Sequence, residues 1–203
     1  MPDSTQASWI PPIAASVELP SGRIPQATRH YQKHFADLAG LYEDQTAFDR
    51  MLPEWETQVV YEVWEHKAST QTGDLIFGTS VMSPGTVGRE FFMTSGHQHQ
   101  LADRAETYFC LAGSGVMLLE SPDGEVEARE WQPGVMVYVP PHWIHRSVNT
   151  GSEPLITLFT YSADAGQNYD LIRQNGGMRQ RVMQTEGGWR LEENSRYCRP
   201  STS

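Results

Sequence analysis

The chain has 203 residues, a length that suits one large domain or two small ones, and we expect a single domain over residues 1–203. Its 25 acidic residues against 15 basic ones give a formal net charge of −10, which opposes binding to the phosphate backbone of a nucleic acid. Hydrophobic residues make up 38% of the chain and can fill a core, but no apolar stretch approaches the ~20 residues that a membrane-spanning helix needs. Nucleic-acid-binding and membrane proteins are therefore excluded.

The start of the chain and its few cysteines and lysines exclude further classes. The first basic residue is Arg23, so the basic segment of a signal peptide is missing and we expect a cytoplasmic protein. Cys110 and Cys198 lack the CxxC spacing of redox and zinc motifs. The only lysines are Lys33 and Lys67, which lie far in sequence from the histidine pair near residue 97 and argue against a Schiff-base mechanism.

The first 55 residues are predicted to form an N-terminal arm and one or two helices. Five prolines among the first 25 residues, with no hydrophobic period, predict an extended arm that lies across the domain or across a neighbouring subunit. From Ala27 to Met51, apolar residues recur at spacings of three, four and seven, with a break at Gly40, which predicts helix. Because prolines lower the conformational entropy lost on docking, the arm also favours a homodimer.

The rest of the chain is predicted to be mainly β. Nine short segments rich in β-branched and aromatic residues are separated by turn residues: 58–65, 75–82, 90–95, 106–112, 116–120, 126–131, 135–139, 144–149 and 155–161. This regular spacing predicts an antiparallel sandwich or barrel, with its core over residues 56–165. Residues 166–203 are predicted to form a short extension, with one helix near 169–174 and two strands near 180–184 and 189–191.

Three histidines and one glutamate could form a metal site within this β region. His97 and His99 are two residues apart, which places both on one face of a strand, while Glu106 and His145 come from later strands. Three imidazole nitrogens and one carboxylate oxygen suit a divalent transition metal. By itself, however, a His-x-His pair is more often two exposed or hydrogen-bonded histidines.

The residues around these histidines follow the spacing of the two cupin motifs, which place glycine, proline and asparagine at fixed intervals: Glu106, Gly113, Gly134, Pro140, His145 and Asn149. The chain therefore resembles the cupin superfamily, whose members are small β-barrels with a metal inside. The second motif departs from the usual form because His142 stands where glycine is common. Segments 83–90, 94–99, 105–108, 111–115 and 161–166 extend the likeness, so that residues 61–169 resemble the cupin-type glucose-6-phosphate isomerases.

This resemblance implies interconversion of glucose 6-phosphate and fructose 6-phosphate with one divalent transition metal, which could be Fe, Mn, Ni, Co or Zn. Carried over position by position, the metal ligands are His97, His99, Glu106 and His145, and the donors to the sugar phosphate are Tyr61, Ser80, Thr94, Gly96 and Tyr161. One departure concerns Gln167, which stands where the family usually has a histidine and which cannot relay a proton.

Two chemical routes and two other functions stay open at this stage. In the enediol route Glu106 is the base and Tyr108, two residues further along the same strand face, is a hydrogen-bond donor beside it. In the hydride-shift route Glu106 is a metal ligand only. A metal-dependent cupin dioxygenase and a non-enzymatic sugar-binding cupin are the alternative functions.

Overall fold

The computed structural model describes residues 9–198, which are mainly β as predicted. The ends of the predicted arm and extension, at residues 1–8 and 199–203, lie outside the described residues. None of the helices in the described range is long and apolar enough to cross a membrane.

Within residues 9–198 the elements follow one another in a simple order. The strands are β1 (Arg29–His34), β2 (Val59–Lys67), β3 (Leu75–Met82), β4 (Thr86–Val87), β5 (Glu90–Phe91), β6 (Glu106–Ala112), β7 (Gly115–Glu120), β8 (Val126–Trp131), β9 (Met136–Val139), β10 (Ile144–Asn149), β11 (Leu155–Ser162), β12 (Gln180–Thr185) and β13 (Gly188–Glu193). The helices are a 3₁₀ helix at Phe35–Leu38, α1 (Gln45–Trp55) and α2 (Asp170–Gln174).

The strands form three antiparallel sheets. The largest has the order β1-β2-β3-β11-β6-β9, the second has the order β10-β7-β8, and the third joins the C-terminal strands to the middle of the chain in the order β13-β12-β5-β4. In the large sheet, alternate residues are buried, so that one face of β2, β3, β6 and β11 lines the interior. Strand β10 faces this interior from the second sheet, because His145 contacts Glu106 of β6.

The helical prediction for residues 27–51 is correct only in its second half. Arg29–His34 is a strand, which pairs antiparallel with β2 at the edge of the large sheet. Its hydrophobic spacing resembles that of a helix, but the pairing partner lies about 30 residues further along the chain, and this long-range contact decides the conformation. Helix α1 begins after Asp44, whose side chain caps it by accepting a hydrogen bond from the Ala47 N–H at 2.8 Å.

The two N-terminal helices pack on the same hydrophobic core as the barrel. Phe35 and Phe48 are almost fully buried and their rings stack with centroids 4.4 Å apart, while Phe92 from the middle of the chain lies 6.1 Å from Phe35. Full burial of one such side chain contributes about 1.5–3 kcal/mol. These contacts tie residues 35–55 to the strands that carry the site.

The other predicted strands are confirmed, with one exception. Residues 90–95 were predicted to be a strand, whereas the strand ends at Phe91 and only Met93 forms a further isolated bridge, to Val148. Beyond it, Gly96 has a φ of 71°, which no extended strand accommodates. The predicted short helix and strand pair of the extension are present as α2, β12 and β13.

Candidate active site

Three imidazoles and one carboxylate converge inside the barrel. The Glu106 Oε2 atom lies 3.0 Å from Nε2 of His145, 3.2 Å from Nε2 of His99 and 3.8 Å from Nε2 of His97. The ligand atoms of His97, Glu106 and His145 all lie within 4.8 Å of one another. Donor atoms that hold one ion at about 2.1 Å are themselves about 3.0–3.5 Å apart, so these separations are close to those of a coordination shell.

Backbone pairing and one carbonyl set the direction of these side chains. His97 and His145 exchange two backbone hydrogen bonds of 3.0 Å, which holds their rings next to each other. The Nδ1 of His99 lies 2.9 Å from the carbonyl oxygen of Arg104 and can donate to it, which leaves the Nε2 lone pair facing Glu106. Two lone pairs oppose each other unless a proton or a cation lies between them. Among residues 9–198 the buried Nε2 of His97 has no hydrogen-bond partner, and the donor set therefore fits a metal ion.

The electrostatics of the cluster favour the metal-binding forms of His97 and Glu106. Burial, together with the neighbouring His145, holds the pKa of His97 well below its usual value. Burial would raise the pKa of Glu106, but hydrogen bonds from His145 and His99 outweigh it and the pKa falls well below the usual range. For His99, burial lowers the pKa and Glu106 raises it, with a net increase, so a proton and a metal compete for the same pair of atoms.

A salt bridge outside the cluster holds the loop that orients His99. Arg104 donates two hydrogen bonds to Asp164, at 3.0 and 2.8 Å, and Asp164 also accepts from the hydroxyls of Ser162 and Thr72. The carbonyl of the same Arg104 is the partner of the His99 Nδ1. Such contacts fix the ring orientation and the tautomer of a ligand.

Tyr108 lies beside Glu106 on the interior face of β6. It is 7% exposed, and its ring centroid is 6.0 Å from that of His145. Burial and the nearby Glu106 carboxylate raise the pKa of the phenol well above its usual value. The hydroxyl of Tyr108 is therefore protonated at neutral pH and can donate a hydrogen bond.

Two of the predicted phosphate donors belong to the wall of the large sheet. Tyr161 pairs with Glu106 in register, and its ring lies 5.5 Å from that of His99. Ser80 is opposite Thr157, four residues along β11 from Tyr161, and is 7% exposed. In the described part of the chain, neither of these two hydroxyls has a hydrogen-bond partner, so both can donate to a ligand.

The other predicted donors surround the loop that precedes His97. The Tyr61 hydroxyl lies 3.1 Å from the Ser95 Oγ, and the Thr94 Oγ1 accepts a hydrogen bond of 3.1 Å from the Ser147 N–H. The N–H of Gly96 has no hydrogen-bond partner within residues 9–198, although the residue is buried. The five predicted donors thus come from β2, β3, β11 and this loop.

Residues that the sequence did not point to also border the site. The ring of Tyr169 lies 5.7 Å from that of His97, and its hydroxyl donates to the Oε1 of Gln167. Tyr169, Ser95 and Lys33 line a cavity of about 430 Å³, with Arg29 and Arg173 completing its basic wall. Lys33 thus shares a cavity with Ser95 and Tyr169, although it is far from the histidines in sequence.

The comparisons with known proteins agree with this geometry. Residues 32–199 match the model of a protein family described as glucose-6-phosphate isomerase (GPI). The chain belongs to the glucose-6-phosphate isomerase family. The cupin-type resemblance seen in the sequence is thereby confirmed, and the mainly β barrel agrees with it.

Individual members of the glucose-6-phosphate isomerase family are similar over most of their length. A glucose-6-phosphate isomerase of Sinorhizobium medicae (strain WSM419) is 52% identical over 187 residues, which are 92% of this chain and 87% of that protein. One of Thermococcus gammatolerans (strain DSM 15229 / JCM 11827 / EJ3) is 45% identical over 177 residues, 87% of this chain and 91% of that protein. Among solved structures, oxalate oxidase in complex with the substrate analogue glycolate has a TM-score of 0.46 at 14% identity, covering 54% of this chain and 55% of that chain.

Proposed function

We propose that this chain is a metal-dependent aldose–ketose isomerase that interconverts glucose 6-phosphate and fructose 6-phosphate. The observation that carries the proposal is the convergence of His97, His99 and His145 on one oxygen of Glu106. Membership of the glucose-6-phosphate isomerase family gives this cluster its substrate class. A dioxygenase with a hydrophobic substrate would not need these hydroxyls, and a non-enzymatic sugar-binding cupin would not need a full set of metal ligands.

We propose that the phosphate group of the sugar is bound by the hydroxyls of Tyr61, Ser80, Thr94 and Tyr161 and by the N–H of Gly96. A phosphate dianion is held well by hydroxyl and backbone N–H donors, because each hydrogen bond to it is charge-assisted. The unpaired hydroxyls of Ser80 and Tyr161 and the unpaired N–H of Gly96 support this assignment, since buried donors without partners cost free energy when no ligand is bound.

The reacting end of the sugar would lie at the histidine cluster. Held by His97, His99, Glu106 and His145, a divalent ion supplies Lewis-acid polarisation of the substrate oxygens. In the enediol route the Glu106 carboxylate would accept a proton from carbon 2 and return it to carbon 1, and its low pKa means that it is ionised at neutral pH. Tyr108 donates a hydrogen bond next to this carboxylate. The ion is Fe, Mn, Ni, Co or Zn, and metal analysis of protein purified without added salts would identify it.

The purified protein is expected to isomerise fructose 6-phosphate and to act far more slowly on free fructose. Thr94→Ala removes one proposed phosphate donor and should raise KM for fructose 6-phosphate about 10-fold, with kcat changed much less, because a hydrogen bond to a charged group is lost. A coupled spectrophotometric assay gives both constants.

Thr94→Ser is the matched control for this substitution. It keeps the hydroxyl and the acceptor for the Ser147 N–H, so its KM should stay near that of the wild type. Equal turnover of free and phosphorylated sugars, or equal KM values for Thr94→Ala and the wild type, would contradict the phosphate site.

We further propose that the chain forms a homodimer through its N-terminal arm. The arm exposes Trp9, Ile10 and Ile13, and the outer face of the edge strand β9 exposes Met136 and Tyr138. Apolar side chains of this size on a surface favour a protein contact. Light scattering at micromolar concentration should give about twice the chain mass of 22.9 kDa, and a mass near 22.9 kDa would count against the dimer.

The state of the two cysteines bears on the cellular compartment of the protein. Cys110 and Cys198 are both free thiols, which favours a reducing compartment. We propose that the protein is cytoplasmic, and cell fractionation would test this.

We also propose that residues 1–203 form one domain, with the arm and helices at 1–55, the barrel core at 56–165 and the extension at 166–203. Residues 35–55 and the barrel share one core, so thermal unfolding should be a single transition.

A further inference from the structure

Arg146 is a buried guanidinium whose positive charge is balanced by few contacts within the protein. It follows His145 in β10 and points to the opposite side of that strand, where it is 3% exposed. Its Nη2 donates to the Ser95 carbonyl at 2.9 Å, and its Nη1 lies 3.0 Å from the Sδ of Met93. Its Nε has no hydrogen-bond partner in the part of the chain that the structure describes. Glu90, the carboxylate that most affects Arg146, is itself bound to Arg181 at 2.7 Å.

No carboxylate among residues 9–198 forms an ion pair with Arg146. A buried positive charge without a partner costs free energy, and proteins retain such charges where another group compensates them. A guanidinium stays protonated in proteins, so this side chain carries its charge at neutral pH. An anion bound nearby would supply the missing compensation.

The carbonyl that Arg146 binds belongs to the peptide that links Ser95 to Gly96. In a planar trans peptide the C=O and the N–H point to opposite sides. The Gly96 N–H therefore points away from the Ser95 carbonyl and from the guanidinium bound to it. This N–H has no hydrogen-bond partner in the described part of the chain.

Close packing supports the same arrangement. A Cβ on Gly96 would lie 3.1 Å from the Nε of Arg146 and 2.8 Å from the Cδ1 of Ile172, and the φ of 71° is one that residues with side chains rarely adopt. Glycine at this position lets the guanidinium approach the peptide directly. A cation on the carbonyl side of a peptide polarises it and strengthens its N–H as a donor.

We propose that Arg146 is a positioning residue for the substrate phosphate: it fixes the Ser95–Gly96 peptide so that the Gly96 N–H is directed at the phosphate, and its charge strengthens that hydrogen bond. This inference rests on the proposed function, because it takes the sugar phosphate as the anion. It gives a site of otherwise neutral donors a positive charge that lies behind the loop and does not touch the substrate.

The test compares Arg146→Met and Arg146→Lys with the wild type. Arg146→Met should raise KM for fructose 6-phosphate about 10-fold or more and weaken competitive inhibition by inorganic phosphate by the same factor, while kcat and bound metal change little. Arg146→Lys keeps the charge and one donor, and inhibition by phosphate should stay within about threefold of the wild type. A purely structural role would lower the thermal stability and the metal content without a selective loss of phosphate affinity.

Met93→Leu is the matched control, because it removes the sulfur contact of Nη1 and keeps the volume of the side chain. Its phosphate inhibition should equal that of the wild type. The proposal is overturned if Arg146→Met folds, keeps its metal and binds phosphate as the wild type does. If Arg146→Met does not fold, the lysine variant decides: a folded Arg146→Lys protein that has lost phosphate affinity by more than about 10-fold overturns it.

The outcome for Arg146 is separable from that for the isomerase. Inhibition constants need turnover, so the affinity for inorganic phosphate is also measured directly, from the thermal shift that phosphate produces. If the wild type bound phosphate but did not isomerise fructose 6-phosphate, the proposed function would fail, while a selective loss of the phosphate-induced shift in Arg146→Met would still support the role of Arg146.

Discussion

Chelation of the metal is expected to abolish isomerisation of fructose 6-phosphate, and Mn²⁺ or Fe²⁺ should restore it. Three imidazole nitrogens within 3.8 Å of one carboxylate oxygen form a donor set that suits a divalent ion. His145→Ala removes one ligand and should lower metal affinity by at least ~10²-fold, because even residues that only support ligands contribute 10–100-fold. Elemental analysis and activity, measured on the same preparation, provide the check.

His30→Ala is the matched control for this ligand substitution. His30 lies on the exposed side of β1, where it stacks on Trp64 and contacts Glu62, and its loss should leave the metal content and the activity unchanged. Full activity in protein shown to be free of metal would overturn the site assignment. The same conclusion would follow if His145→Ala retained its metal.

Glu106→Gln is expected to lower kcat by at least ~10²-fold if Glu106 is the base that moves the proton between carbons 2 and 1. Glutamine keeps one oxygen for the metal and removes the basic group, so the metal should largely be retained. In the hydride-shift route Glu106 acts as a ligand only, and the same variant should keep most of its kcat.

Deuterated water gives a second, independent readout of the role of Glu106. A proton held on a carboxylate during turnover can exchange with solvent, so the wild type should place some deuterium at carbon 1 of fructose 6-phosphate or carbon 2 of glucose 6-phosphate. Absence of deuterium is ambiguous by itself, since a shielded base can return the same proton. Absence of deuterium together with a Glu106→Gln enzyme that keeps its metal and most of its kcat would exclude Glu106 as the base.

The barrel strands could be predicted from the sequence because their signals are local. Alternating burial, β-branched residues and turn residues lie within each segment, and the hairpin between β7 and β8 is formed at 122–124 as its residues indicate. The strand β1 could not be predicted in this way. Arg29–His34 is extended because β2 pairs with it, and a spacing of apolar residues carries no information about a partner so far along the chain.

The site shows the same division between local and distant signals. The ligand spacings of the cupin motifs pointed to His97, His99, Glu106 and His145. Tyr169, whose ring lies beside that of His97, comes from a loop that has no such motif. His142 shows why the second cupin motif usually has glycine at this position. Its φ of 71° lies in the left-handed region, which explains why glycine is usual there.

The two faces of β10 carry different groups, so the register of this strand against β7 matters for the site. His145 and Arg146 are adjacent and point to opposite sides, one toward Glu106 and the other toward Ser95. Because side chains alternate along a strand, a shift of one residue against β7 would exchange them. The guanidinium would then face the Glu106 carboxylate in the place of an ion. A single-residue insertion or deletion that shifts β10 against β7 is therefore expected to disrupt the histidine cluster and the proposed phosphate site together.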